Sequence, residues 1–239
     1  MSWEYLLPSN ADNMKQKRTY LGIIAAFLII ALAYVAWPAE DFTPLVDAEQ
    51  EAEILSVLPE LEEMVEKYPE NADAKKDLGH ANLLLGNLED AELYISQALQ
   101  ADPQNPAYIL DLGQLYEVRG EYGKAEEAYK TAKELNTKMR EDLAQMIESF
   151  PPEVGGEAVR GLLEAQDAVQ ESPLPYAALA KLYLNKLGKT DEAISVLEEG
   201  LEANKSYVDF YYLLSSAWEA KGNLEKSQEY RDIIASKNF

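Results

Sequence analysis

Residues 72–105 read ADAKKDLGHANLLLGNLEDAELYISQALQADPQN, and residues 106–137 read PAYILDLGQLYEVRGEYGKAEEAYKTAKELNT. Laid over each other at a shift of 34, the two stretches coincide at small and turn-forming residues. Leu78 and Gly79 fall on Leu112 and Gly113, Gly86 on Gly120, Ala91 on Ala125, and Ala98 on Ala132. Each coincidence has a mechanical reading. Gly79 and Gly113 let a first helix approach its partner closely, and Gly86 and Gly120 supply the turn between the two helices. The four alanines keep the second helix thin where neighbours cross. Pro103 ends that helix and opens the next unit.

This pattern resembles the tetratricopeptide repeat, whose marks are Leu-Gly, an aromatic, Gly, Ala, an aromatic, Ala and Pro at fixed offsets within one period. The resemblance implies helix hairpins stacked into a superhelix, because one hairpin cannot bury its own apolar face whereas a row of them shares a continuous core. The same ruler extends both ways. Pro69 precedes Pro103 by that same interval, so residues 47–71 form a leading helix and its connection. Ala193 and Ser227 are 34 apart, as are Gly200 and Ile234, which places two further repeats in 173–239, with one extra residue between Tyr183 and Gly188. Residues 140–172 fill a slot that keeps few repeat features and reads as a degenerate helix pair broken at Pro151-Pro152 and Gly155-Gly156.

Upstream of the repeats, Leu21 to Trp37 reads LGIIAAFLIIALAYVAW, a run without a charge. At 1.5 Å per residue such a helix just crosses a bilayer core of about 30 Å, with Tyr20, Tyr34 and Trp37 suited to the interfaces. A buried helix of the globular body would keep a polar face, which this stretch lacks. A cleaved signal peptide is the stronger rival, but bulky Tyr34 and Trp37 stand where a cleavage site needs small side chains. Lys15, Lys17 and Arg18 precede the stretch, while Glu40, Asp41, Asp47 and Glu49 follow it. The positive-inside rule then puts residues 1–20 in the cytoplasm and, after a linker at 38–46, the repeats in the periplasm or another extracytoplasmic space. The expected fold is thus all-α: one N-terminal transmembrane helix followed by an α-α superhelix.

Composition narrows the chemistry. The chain has 239 residues with 43 acidic and 21 basic side chains, a net charge of -22. Such a surface repels nucleic-acid phosphates and favours basic protein partners. There is no cysteine and one histidine, His80, so thiol chemistry, HExxH zinc sites and clustered nitrogen ligands are ruled out on composition. No phosphate-cradling glycine loop occurs, and neither a cofactor nor a metal is expected. Glu62-Glu63, Glu126-Glu127 and Glu198-Glu199 read as solvated faces, because neighbours on a helix point in different directions. The expectation is a protein that is not an enzyme.

In the repeat family the lining of the groove comes from fixed positions of each first helix. Carried over, the resemblance implies a partner-binding groove of Lys76, His80, Leu84, Gln114, Glu117, Lys181, Asn185, Tyr212 and Ser216. Leu83, Leu110, Val118, Ala177, Leu184, Glu219 and Ala220 hold equivalent positions, several of them suited to helix packing instead. Only Lys76 fits the basic clamp with which some relatives capture a C-terminal carboxylate, since Asp111 and Glu141 stand where that clamp needs an amide and a base. Tyr176, Tyr183, Tyr207, Tyr211, Tyr212 and Tyr230 gather in the last two repeats, as core or contact residues. The implied role is a membrane-anchored scaffold that binds proteins or peptides as an assembly factor or accessory subunit of a larger membrane complex. Its layout is similar to repeat domains of cytochrome c maturation and nitrite reductase assembly. A holdase chaperone beside the secretion translocon is the alternative.

Overall fold

The computed structural model describes residues 46–149 and 172–237, and among these all regular structure is helical. Helix α1, Ala48–Lys67, starts at a capping box in which Asp47 accepts from the Glu49 and Gln50 amides while the Gln50 side chain accepts from the Asp47 amide. Its apolar stripe, Ile54, Leu58, Leu61 and Val65, is half-buried, and none of its residues is fully buried. The repeats begin with α2, Ala72–Leu85, on which α1 packs, and α3, Leu88–Ala101. Asn71 caps α2 by accepting from the Ala74 amide, and Asn105 caps α4, Pro106–Val118, by accepting from the Ala107 amide. Pro106 occupies the first turn of α4, where its missing N–H costs nothing.

The hairpin turns use the glycines that the interval marked. Gly86 and Gly120 sit at φ 81° and 73°, where an L side chain is strained. Gly188 and Gly222 repeat this at φ 65° and 80°, closing the hairpins of α6, Leu174–Leu182, with α7, Thr190–Ala203, and of α8, Val208–Ala220, with α9, Leu224–Lys237. The extra residue of the α6 repeat is absorbed by a π-helical turn at Tyr183–Leu187, whose Tyr183 carbonyl accepts from the Gly188 and Lys189 amides.

The second helix of the 106–139 repeat departs from expectation. Helix α5 runs unbroken from Tyr122 to Ser149, 28 residues, so the boundary placed at 139/140 lies inside it. The reason is local: the position 34 after Pro103 is Thr137, which keeps its N–H and its place in the helix. The repeat that starts near residue 173 packs directly on the 106–135 repeat. One core joins Ile109, Ala125, Ala128, Tyr129 and Ala132 to Tyr176, Ala177, Leu179 and Ala180. The expected slot at 140–172 thus opens inside α5, and its residues 150–171 lie outside the described residues. The expected breaks at Pro151-Pro152 and Gly155-Gly156, and the expected membrane helix at Leu21–Trp37, lie outside the described residues. Among the described residues no helix is long and apolar enough to cross a membrane.

Three glycines, Gly79, Gly113 and Gly200, set how close neighbouring helices come. A Cβ on Gly113 would lie 2.5 Å from the Tyr129 ring, and one on Gly200 would lie 2.7 Å from Phe210. Both rings are fully buried and cannot yield. Gly113→Ala and Gly200→Ala should each lose about 1–3 kcal/mol by overpacking. Gly123, in α5, has open space where a Cβ would sit and should instead gain about 0.5 kcal/mol as alanine, because only chain entropy changes. Urea unfolding of the three variants reads these opposite signs.

Candidate partner-binding groove

Two layers of helices are tied by different contacts. In one layer, the Tyr108 hydroxyl on α4 donates to Asp73 on α2 at 2.6 Å, and His80 Nδ1 on α2 lies 2.9 Å from Asp111 Oδ1 on α4. In the other, Lys133 on α5 donates to both oxygens of Glu199 on α7, at 2.8 and 2.7 Å. The first helices of the hairpins, α2, α4, α6 and α8, thus form the layer that carries the expected groove positions.

These positions separate into packing and lining. Leu83, Leu110 and Ala177 are buried core residues, and Leu184 is half-buried against the same core. Val118 packs on the Leu83–Ile95 cluster, Glu219 pairs with Arg231 at 3.1 Å, and Ala220 is exposed at the end of α8. Lys181, Asn185, Tyr212 and Ser216 are exposed on α8 and on α6 with its π turn, while Lys76, His80, Leu84, Gln114 and Glu117 are half-buried on α2 and α4. Of the six tyrosines singled out, Tyr176, Tyr183 and Tyr211 are buried, Tyr207 and Tyr230 half-buried, and Tyr212 alone is exposed, at 55%.

His80, expected as a free groove residue, is instead engaged by Asp111. The Asp111 side chain is only 4% exposed, and its Oδ2 has no hydrogen-bond partner among the described residues. A buried acceptor left unmade costs roughly 1–3 kcal/mol. Lys76 donates to Asp77 at 2.9 Å. Burial opposes its charge, but that bond and the fields of Asp111, Asp77 and Asp73 prevail and raise its pKa above the ordinary lysine value. The Glu117 carboxylate accepts from the Tyr129 hydroxyl at 2.8 Å. Burial first, then the charge of Glu117, raises the Tyr129 pKa and holds the phenol protonated. In the sequence, Asp111 counted only against carboxylate capture. The signal for its place in the groove was the interval itself, since Asp111 follows Asp77 by one period and holds the same repeat position. Asp77 is exposed, while Asp111 is buried.

Glu126 also departs from its reading as a solvated residue. It accepts from Lys130 at 2.7 Å, Lys189 at 2.8 Å and the Tyr183 hydroxyl at 3.1 Å, fastening α5 to the π turn and to the N-terminus of α7. A separate cleft of about 200 Å³ is lined by Thr137, Arg140, Tyr176, Glu199, Glu202 and Ala203. Among the described residues no three His, Cys, Asp or Glu side chains gather to hold a metal ion.

Residues 50–108 and residues 177–238 each match a family model described as tetratricopeptide repeat. The chain is built of tetratricopeptide repeats. A tetratricopeptide repeat protein of Bacillus subtilis, YpiA, is 28% identical over 189 residues, covering 77% of this chain and 43% of the relative. The CTR9 homologue of Arabidopsis thaliana is 22% identical over 209 residues, covering 68% of this chain and 19% of the relative. The chain thus spans less than half the length of these curated relatives. Among solved structures, that of MamA superposes with a TM-score of 0.53 at 17% identity, over 81% of this chain and 95% of MamA, which shows a shared tetratricopeptide repeat solenoid.

The Glu126 junction gives a signed pH effect. Burial pushes its carboxyl up, but hydrogen bonds from Lys130, Lys189 and Tyr183 outweigh this and lower the pKa from 4.5 to about 2. A folded-state pKa below the unfolded one stabilises the fold above the unfolded value, and the contribution disappears as pH falls through the folded value. Glu126→Gln should therefore cost about 1–2 kcal/mol at pH 7, with the two lysines half in water. The gap to the parent protein should close between pH 4.5 and about 2 when denaturation midpoints are followed against pH.

Proposed function

We propose that this chain is a scaffold that acts by binding alone, holding a segment of a partner protein along the layer formed by α2, α4, α6 and α8. The observation that carries this reading is Tyr212. Among the tyrosines of the first helices, of which Tyr108, Tyr176 and Tyr211 are buried and Tyr116 half-buried, it is 55% exposed, in the same layer as the exposed Lys181, Asn185 and Ser216. An amphipathic ring beside amide, hydroxyl and ammonium groups suits a segment whose apolar side chain is gripped while its backbone is hydrogen-bonded.

The uncharged run Leu21–Trp37, preceded by Lys15, Lys17 and Arg18, supports a tether that would hold this groove on the extracytoplasmic side of a membrane. A scaffold so placed would serve assembly of a membrane-associated complex, with the partner delivered or retained at the bilayer surface.

A photo-crosslinking residue placed at Asn185 or Tyr212 should yield one discrete adduct in native membranes, and the same residue at Leu93, exposed on the second-helix layer, should yield little. A ladder of many products from the groove positions would instead indicate a holdase with many clients. Equal adducts from Leu93 and Tyr212 would contradict the groove.

A further inference from the structure

The groove is electrically lopsided. On α6 and α8 and the π turn that follows α6, the expected lining is Lys181, Asn185, Tyr212, Ser216 and Glu219, whose one carboxylate pairs with Arg231 at 3.1 Å. On α2 and α4 the carboxylates of Asp73, Asp77, Asp111 and Glu117 form one neighbourhood. Lys76 feels Asp111, Asp77 and Asp73 together, the Tyr129 phenol feels Glu117 and Asp111, and the Tyr108 phenol feels Asp73 and Asp77. Lys76 is the cation among them, and it is already bonded to Asp77.

A second observation, independent of that count, points to a missing donor. Asp111 is buried with its Oδ1 on His80 and its Oδ2 on nothing among the described residues. The side chain bonded to it, His80, is 35% exposed, so this partner lies at the groove surface. A hydrogen-bonding cation arriving there would satisfy Oδ2 and meet the field of the surrounding carboxylates. No three of these acids gather in a metal-binding set among the described residues, so the fitting cation is a side chain with several N–H donors.

We propose, building on the groove reading above, that the α2–α4 end of the groove receives a lysine or arginine side chain of an extended protein segment. Asp111, Glu117 and Asp77 supply the charge. The same segment runs toward α8, where Tyr212 grips an apolar residue. Three spacings of about 8–10 Å from α2 to α8 place Asp77 and Tyr212 roughly 25–30 Å apart, with Asp111 and Glu117 one spacing nearer. An extended chain at about 3.3 Å per residue covers that distance in about eight or nine residues. The segment is therefore basic at one end and apolar at the other, with about seven residues between.

The test uses the full-length chain and two labelled nine-residue peptides that share a terminal leucine, one with two adjacent lysines at the opposite end and one with two glutamates there. Fluorescence anisotropy should show binding of the lysine peptide, weakened by added salt, and none of the glutamate peptide. Glu117→Gln and Asp77→Asn should each weaken it about tenfold, and Asp111→Asn likewise if circular dichroism shows it folded. Glu198→Gln, an exposed charge on α7, should leave it within about twofold. Equal binding of both peptides, no binding of the lysine peptide, or equal weakening by Glu198→Gln and Glu117→Gln would overturn the proposal. If binding is lost in Tyr212→Ala yet indifferent to Glu117→Gln and Asp77→Asn, the groove stands and its cationic end does not. If neither peptide binds and the groove positions give no crosslink, both readings fall together.

Discussion

The structure depends on how closely neighbouring helices approach at three glycines. Gly79 lets Ile95 in, Gly113 lets Tyr129 in, and Gly200 admits Phe210 and Tyr176; in each case a methyl group would overlap the incoming side chain. This contact fixes the thickness of a repeat, and a constant thickness is what allows neighbouring repeats to interlock. Ala91, Ala98, Ala125, Ala132 and Ala193 are wholly buried for the same reason, since the second helices must also pass close to the next hairpin. The large side chains that stabilise the fold, among them Tyr129, Tyr176, Phe210 and Leu197, bury fully only because these small residues leave room for them.

Because the first helices end up side by side, polar groups that are separate in the sequence meet in one layer. The pairs Asp73–Tyr108 and His80–Asp111 bridge 35 and 31 residues of chain. They are products of stacking, and they give the groove its acidic end. On the opposite layer, the Lys133–Glu199 pair and the Glu126 cluster close a contact across more than sixty residues, which holds the two blocks of repeats in one row.

Much of this was legible in the interval between like residues. The hairpins, the left-handed turns at Gly86 and Gly120, the close approach at Gly79 and Gly113 and the stop at Pro103 all follow from small residues recurring at one constant spacing. The continuous α5 was legible only as an absence: Thr137 stands where a proline would have ended the helix, and an ordinary helix residue gives no warning that it is replacing a stop. The π turn showed itself as one surplus residue between Tyr183 and Gly188, the stretch that absorbs it. The lining was less readable than the fold. Leu83, Leu110 and Ala177 occupy groove positions by offset yet are buried, because the offset fixes a direction on the helix while burial depends on what the neighbouring repeat places opposite. Glu126 was misread because adjacency along one helix says nothing about a lysine 63 residues away.

The continuous layer of first helices depends on the direct stacking of the 173–207 repeat on the 106–135 repeat. The chain has no cysteine, so cysteines introduced at Lys133 and Glu199 would be its only thiols. Treated with a short bis-maleimide of about 10 Å reach, roughly one helix spacing, the double variant should crosslink within a single chain in high yield. Failure to crosslink under native conditions would mean that residues 140–172 separate the two repeats, which contradicts the continuous groove.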